Sequence, residues 1–429
     1  MPLAVLSGKR KVAKRVETDS VASIKSLKPT PKQHPWRVVH ACELAREVLP
    51  LVEGQLAAGM RPFLLTPGGF GAAGAFQDKK NGESVLPISL LHTWNHVRDW
   101  RKLLGESAAE VSAEVIHAHS FASGMAAVRA SSGVVYQLRQ GVEKLASIAG
   151  HCDENSWLAR SFRVAEQFVL ARAAAVVVNN HAERLACLER GVNAETLFLI
   201  PDPVGSELLE SAPDRDWLEA ITKGSAETVF FLIPGFPTSS VWERKDALLR
   251  WMRVLSVVRH EHANVRFVFI GESHDREAID ELALACNLTP WVKVVAREMR
   301  RRAMATADVI ICDREHSEND LALQALARGR ALLAADVEEH RDITADGRGC
   351  LWFRSGEVKD IAYRASFLAG NSEFRRALAV AGREHCLATR SAEVIGAQYD
   401  AVYRLAFSKR KGRDNSTPKP QLLPLQVGS

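Results

Sequence analysis

The densest run of side chains able to do chemistry in this 429-residue chain is "DREHSENDLALQ", from Asp313 to Gln324. Asp313, Arg314, Glu315, His316 and Glu318 crowd a loop behind the apolar run "VIIC". Gln324 lies in the helical pattern that follows, four residues past Asp320 and so on the same face. A guanidinium such as that of Arg314 can grip a diphosphate bidentately. Carboxylates and the Gln324 amide can bond sugar or ribose hydroxyls. The plain alternative is a capped surface helix. A second group follows "FFLIP". Gly235 lets backbone approach a ligand, the helix start behind it favours a phosphate, and Arg244 and Lys245 supply positive charge. A lone glycine there is equally what a simple turn needs. Glu272 ends "VFIG", where it either accepts a bond from a hydroxyl or caps the helix of "SHDREAI".

In the first half of the chain, "IHAHS" puts His117 and His119 on one face of a strand, with His119 nearer its end. Two histidines without a third ligand at suitable spacing do not make a metal site. Arg139 ends "VVYQLR" and Glu143 follows; a charge ending a buried strand is better placed for ligand contact than for packing. The chain has no GxGxxG and no GxxxxGK[ST], which excludes the dinucleotide fingerprint and the P-loop.

These residues need a scaffold, and the hydrophobic pattern supplies one. Short apolar runs alternate with helical stretches: "WRVVHA", "RPFLLTP", "AEVIHAHS", "GVVYQLR", "AAAVVVNN" and "LFLIP" form one series. "TVFFLIPG", "VRFVFIGES", "VKVVAR", "ADVIICD" and "RALLAAD" form a second. Apolar strands of this length, spaced by helices, predict parallel sheets covered on both faces. The expected architecture is α/β, with two doubly wound, Rossmann-like domains facing a central cleft. The expected parts are a disordered basic arm over 1–35, a first domain over 36–205, a second over 206–392, a helix over 393–407, and a disordered basic tail over 408–429. In such sheets ligands bind beyond the carboxyl ends of the strands, so the residues after each strand carry most weight.

Composition narrows the class. Apolar residues make up 47% and charged residues 25%, as in an ordinary globular protein. The net charge of +5 is uneven. Residues 1–36 hold eight Lys/Arg against Glu17 and Asp19, and residues 408–429 hold five against Asp414, which leaves the body near −5. That distribution argues against a nucleic-acid partner. The basic arms suit an anionic membrane surface, or serve only as solubilising tails. Seven scattered cysteines without a CxxC pair speak against a disulfide framework or a zinc site. No apolar run reaches the ~20 residues of a membrane span, and the N-terminus lacks the order of a signal peptide. The expectation is a cytoplasmic protein whose arms reach peripherally to the inner face of the membrane.

Against this background the chain resembles glycosyltransferase family 4 over about residues 36–407. "AEVIHAHS" is similar to the family's "D-V-I-H-x-H-S" strand, and "AEQFVLARAAAVVVNNHAERLACLERGV" to its "E-x-x-x-x-x-x-A-D-x-V-x-x-x-S" helix and strand. "LFLIPDPVG" resembles the "I-P-N-G-V-D" that leads into the second domain. "VVYQLRQGVEKLASIAGH" looks like a branch with "Y-E-V-R-G", which puts Arg139 where many relatives carry histidine. Further on, "ALARGRALLAAD" stands for "E-A-M-A-x-G-x-P-V-V-A-x-D", "GRGCLWF" for "G-x-T-G-x-L-F", and "YDAVYRL" for the last helix, which the resemblance implies crosses back to the first domain.

The resemblance implies a GT-B fold, a nucleotide-sugar donor in the second domain and an acceptor in the first. It also implies a retaining transferase that needs no metal and no cofactor beyond the nucleotide-sugar. On this reading Arg139, His119 and Glu318 act at the reacting centre. Gly235, Arg244, Lys245, Glu272, Arg314, His316 and Gln324 bind the donor. Several positions depart from the family. Its phosphate-binding Arg falls at Phe236, its Lys within "WERKD", and the glutamates of E-x7-E at His316 and Gln324. The glycine-rich loop after the first strand is replaced by "HACELAREV". The expected function is transfer of a sugar to a glycan or lipid-linked acceptor during polysaccharide or envelope synthesis. The alternatives are a catalytically impaired relative serving as a binding or assembly subunit, and a sugar-phosphate enzyme such as an epimerase of the same fold.

Overall fold

The computed structural model describes residues 34–73, 90–148, 151–153, 155–209, 212–233, 241–271, 273–313, 320–344 and 347–416. At 90–93, 148, 241–244, 273–274, 320, 339 and 412–416 it describes the backbone alone. The expected arm and most of the expected tail lie outside these residues.

Seven strands build the first sheet: β1 (Arg37–Ala41), β2 (Arg61–Thr66), β3 (Gly69–Ala72), β4 (Val115–Ala118), β5 (Val134–Leu138), β6 (Ala175–Val178) and β7 (Leu197–Leu199). They lie in the order β3-β2-β1-β4-β5-β6-β7. All pairings are parallel except that of β3 with β2. Strand β3, "GFGA", has no apolar run and is only half-buried, which is why the hydrophobic pattern does not reveal it. Six strands form the second sheet: β8 (Val229–Ile233), β9 (Val265–Ile270), β10 (Val292–Val295), β11 (Val309–Cys312), β12 (Ala331–Ala335) and β13 (Cys350–Phe353). Their order is β10-β9-β8-β11-β12-β13 and every pairing is parallel. This is the doubly wound arrangement, two Rossmann-like lobes in one chain.

Each sheet is covered on both faces, as near-continuous apolar strands require. In the first lobe, Val39, Ile116, Tyr136 and Val176 pack under the helices Leu90–Glu110, Phe121–Ala130 and Trp157–Arg172. Val38, Val115, Val135 and Val177 pack instead under Ile395, Tyr399, Val402 and Tyr403. Those four lie on the helix Ala392–Ser416, which follows the second lobe and crosses back to the first. In the second lobe, Phe231, Phe267 and Leu333 meet the helices Val241–Glu261 and Val358–Gly370, and Phe230, Val268 and Ile310 meet Arg300–Thr306 and Asp320–Ala327.

The lobes belong to one compact unit. Two chain crossings run side by side, with Val204 bridged to Ser391 and the Val204 N–H donating to the Arg390 carbonyl at 2.7 Å. Asp342 of the second lobe accepts at 3.0 Å from the His181 N–H, which opens a helix of the first. The crossing helix docks where it meets the helix Leu49–Ala57. A Cβ on Gly54 would stand 1.7 Å from the Ala392 carbonyl oxygen, and one on Gly396 would stand 2.4 Å from the Gly54 carbonyl carbon. Only backbone can occupy that crossing. The helix also runs past residue 408 to Ser416, which corrects the expected start of the tail. Lys409 donates to the Ala174 carbonyl, and Arg410 to those of Ala113 and Glu114, so these cations cap the lower edge of the first sheet.

Because the obstructing atoms are main chain and cannot rotate away, Gly54→Ala and Gly396→Ala should each destabilise the protein by about 2–3 kcal/mol or more in urea unfolding. Gly105→Ala, in an exposed helix position with open space around its Cβ, should instead stabilise by about 0.5–1 kcal/mol. Equal effects at the three sites would refute the close crossing.

Candidate functional site

In both lobes the strand order reverses beside the first strand, between β1 and β4 and between β8 and β11. Open α/β sheets bind ligands at that reversal, past the carboxyl ends. In the first lobe the residues there are Glu43, His119 and Ser120. Glu43 is nearly buried, and its carboxylate gathers donors from three directions. Trp100 Nε1–H donates to Oε1 at 3.0 Å, Ser120 Oγ–H at 3.0 Å, and His96 Nε2 lies 3.0 Å from Oε1 and 3.2 Å from Oε2. The hydrogen bond to Glu43 raises the His96 pKa against the opposing effect of burial, with the charges of Glu43 and Asp99 adding to it. Ser120 also caps the helix Phe121–Ala130 through a capping box with Ser123.

Beneath this layer His117 and His119 do share a face, and β1 adds His40 beside them. The His117 ring centroid lies 4.1 Å from that of His119 and 5.1 Å from that of His40. Burial lowers the His40 pKa to about 4, with the Gln55 hydrogen bond opposing. Burial first, and then neighbouring imidazoles and Arg139, hold His117 and His119 well below their ordinary value. The neutral rings form a directed network. Gln55 Nε2 donates to Tyr403 Oη at 2.7 Å, so its Oε1 faces His40 Nε2 at 2.8 Å and fixes the hydrogen there. His40 Nδ1 is then a lone pair, and His119 Nε2–H donates to it at 2.9 Å. Tyr403 Oη lies 3.1 Å from His117 Nδ1. His117 Nε2 and His119 Nδ1 remain buried with no partner.

Arg139 reaches toward the joint between the lobes. Its Nη2 donates to the Glu47 carbonyl at 2.9 Å and lies 3.6 Å from Asp202 Oδ1, while Nη1 lies 3.5 Å from Glu47 Oε2. Asp202 is also held by Asn179 Nδ2 at 2.7 Å. The guanidinium therefore ties the segment after β1 to the linker, and it stands close enough to the histidines to depress their pKa values.

In the second lobe Gly235, Glu272, Arg314, His316 and Glu318 lie outside the described residues, as does the side chain of Arg244. Lys245 is exposed on the helix Val241–Glu261. Asp313, just past β11, accepts from Ser355 Oγ at 3.2 Å and faces Arg250 Nη1 at 4.0 Å. Gln324 is half-buried within the helix Asp320–Ala327. Arg328 Nη1 donates to the Gln324 carbonyl at 3.2 Å and approaches its Oε1 at 3.4 Å. Arg328 is 6% exposed, and its pKa is lowered to about 10, first by burial and then by Arg301.

Sequence reasoning missed Glu43, His96, His40 and Arg250. Glu43 was within reach of the strand-end rule, since it stands two residues past β1. His96 has no such signal, because it comes from a helix remote in sequence. His96 has a raised pKa in the fold, so the stabilisation it gains from Glu43 is complete below the unfolded value of about 6.5 and is lost as pH rises through the folded value. Glu43→Gln should therefore cost most stability near pH 5.5, by about 2 kcal/mol, and distinctly less near pH 9. The His96 resonances should titrate at lower pH in that variant. A pH-independent penalty would show that the carboxylate does not stabilise an imidazolium.

Comparison with known proteins follows the same division. Residues 44–203 match the model of the glycosyl transferase 4-like domain. Among curated protein sequences none matches the chain. Solved structures match nearly its whole length. A sucrose-phosphate synthase from Thermosynechococcus elongatus superposes with a TM-score of 0.61 at 18% identity, over 87% of this chain and 99% of that one. A glycosyltransferase from Rickettsia africae gives 0.62 at 13% identity over 87% and 99%. Anabaena HepE, in complex with UDP and glucose, gives 0.59 at 13% identity over 86% and 99%. At these identities the likeness is one of fold. The first lobe thus matches a glycosyl transferase 4-like domain over residues 44–203, and the two lobes together have the GT-B fold.

Proposed function

We propose that the protein transfers a sugar from a nucleotide-sugar donor, held by the second lobe, to a glycan or lipid-linked acceptor at the first. The observation that carries this reading is the pair of strand-order reversals, with Glu43, His119 and Ser120 past the strand ends in the first lobe and Asp313 past β11 in the second, in a chain whose first lobe matches the glycosyl transferase 4-like domain. HepE, with the same fold, is known in complex with UDP and with UDP-glucose, which makes a uridine nucleotide the first donor to test.

On this reading His119 and Arg139 serve the acceptor side together with Glu43 and His96, and Glu318 is assigned a role in the reaction. Gly235, Arg244, Lys245, Glu272, Arg314 and His316 serve the donor side. Cations and helix N-termini aimed at the departing diphosphate stabilise the charge that develops as the glycosidic bond breaks. Gln324 has a distinct part. A glutamate could only accept from the ribose hydroxyls. Gln324 has its oxygen near Arg328, so it offers its amide N–H groups as donors instead. The basic segments at the two ends of the chain would bring the protein to an anionic membrane carrying the acceptor. Among the described residues no helix is long and apolar enough to cross a membrane.

Calorimetric titration with UDP, GDP, ADP and their glucose conjugates tests the reading. One nucleotide should bind in the micromolar range, Gln324→Ala should weaken it by up to about tenfold, the worth of one neutral hydrogen bond, and Arg314→Ala should weaken it more. Failure of every nucleotide to bind would overturn it in favour of a non-catalytic binding or assembly subunit.

A further inference from the structure

The three histidines under the crossing helix have a use that the hydrogen-bond network leaves open. His40, His117 and His119 each present a ring nitrogen to a common point, these atoms lying within 4.8 Å of one another. His40 and His117 are fully buried. His117 Nε2, one of the ligating atoms, has no hydrogen-bond partner, although an orphaned buried polar atom is rare and costly. We propose that His40, His117 and His119 form a binding site for one divalent transition-metal ion of the zinc class, roofed by the helix Ala392–Ser416.

The chemistry of the surroundings fits such an ion. Metal-bound imidazoles donate their other N–H to a fixed acceptor, which sets the tautomer and orients the ring. His40 already does so through Nε2–H to Gln55 Oε1 at 2.8 Å, which leaves Nδ1 as a lone pair. His117 has Tyr403 Oη 3.1 Å from Nδ1, so its Nε2 becomes the ligand once Nδ1 carries the hydrogen. Tyr403 Oη then accepts from both Gln55 and His117, within the capacity of a hydroxyl. His119 completes the set by changing tautomer. The hydrogen that Nε2 now shares with His40 moves to Nδ1, and no net proton is taken up or lost.

The distances ask for a modest adjustment. Zinc–nitrogen bonds of about 2.0–2.1 Å in a tetrahedron place ligand atoms roughly 3.3–3.4 Å apart. The His40–His119 pair at 2.9 Å must open slightly, and the widest pair must close by about 1.4 Å. His119 is the half-buried member, so the fourth coordination position lies on its side, toward the end of β4. The charge of Arg139 reaches His117 and His119, and Glu47 and Asp202 lie against it and offset that charge. The ion is given no step in sugar transfer, and the site stands or falls independently of the donor reading.

The test uses the full chain without an affinity tag, loaded with zinc, dialysed against metal-free buffer and assayed by plasma mass spectrometry. About one zinc per chain should be retained, with affinity at least tenfold lower in His119→Ala and in His117→Ala. His262→Ala, remote from the cluster, should retain the metal fully. Circular dichroism establishes that each variant is folded. Should the buried substitutions unfold the chain, cobalt added to the unmodified protein provides the second readout, because nitrogen ligation of a four-coordinate ion gives intense visible absorption. Retention of less than a tenth of an equivalent, equal retention by the His119 and His117 variants, or no cobalt absorption would each overturn the proposal.

Discussion

The first lobe is closed by a helix that can lie where it does only because Gly54 and Gly396 carry no side chains. Two helices normally pack with their axes 8–10 Å apart, held off by the residues between them. Here the backbones meet, and the helix Ala392–Ser416 sinks until Tyr399 and Tyr403 reach the sheet. That depth lets Tyr399 Oη donate to Gln137 Oε1 at 2.9 Å, and lets Trp36 Nε1–H donate to Asp400 Oδ1 at 2.8 Å. It also buries His40 and His117 completely. Their neutrality, the tautomers that follow from it, and the joining of the lobes by the last helix all rest on this one approach.

Apolar contact alone would not fix how far along its axis that helix sits. The stripe of Ile395, Tyr399, Val402 and Tyr403 repeats every three or four residues, so a slide of one turn would keep much of the burial. The buried polar groups remove the degeneracy. After such a slide Tyr403 would miss Gln55 and His117, and Tyr399 would miss Gln137. Each miss leaves a buried donor or acceptor without a partner, at about 1–3 kcal/mol apiece. A similar device holds the other face of the sheet. Glu166 is fully buried, its pKa pushed up to about 7 by burial, and it is met by Arg190 Nη1 at 2.8 Å and Tyr136 Oη at 3.2 Å. Polar contacts in this lobe select among packings that hydrophobic area leaves nearly equal.

The same distinction explains what could be read from the sequence. Strands such as "VRFVFI" and "AAAVVV" are legible because burial on both faces writes an unbroken apolar run. Strand β3 is not legible, being a glycine-rich edge that buries little. His117 and His119 were legible as a pair because strand periodicity places them on one face. Their partner His40 was not, since the β1–β4 pairing that sets it level with His117 is a fact of sheet order, not of spacing. Arg139 was legible as a strand-end charge, but its attachment to Glu47 and Asp202 depends on the path of two loops. The start of the tail was misplaced because Lys409 and Arg410 read as solvated charges, whereas their long stems carry the heads to carbonyl groups at the edge of the sheet.

The donor motif that the resemblance places at His316 and Gln324 takes on a different sense once Arg328 is in view. A glutamate at position 324 would stand beside a buried guanidinium and neutralise it, so that its attraction for a ribose hydroxyl would compete with an ion pair. Gln324 leaves the positive charge in place. Burial first, and then Arg301, Arg300 and Arg330, lower the Arg328 pKa to about 10 against the pull of Glu207, and the neighbouring guanidiniums add positive charge around it. The charge of Arg328 is retained at neutral pH, since a group with a pKa near 10 is still protonated there. On the proposed reading the substitution trades a charge-assisted bond to the sugar ring for a stronger field acting on the phosphates. Catalysis of this kind depends on the stabilisation of a departing anion more than on ground-state contacts to the ribose. On that reading, a glutamine at position 324 is weaker evidence for loss of activity than the resemblance alone suggests.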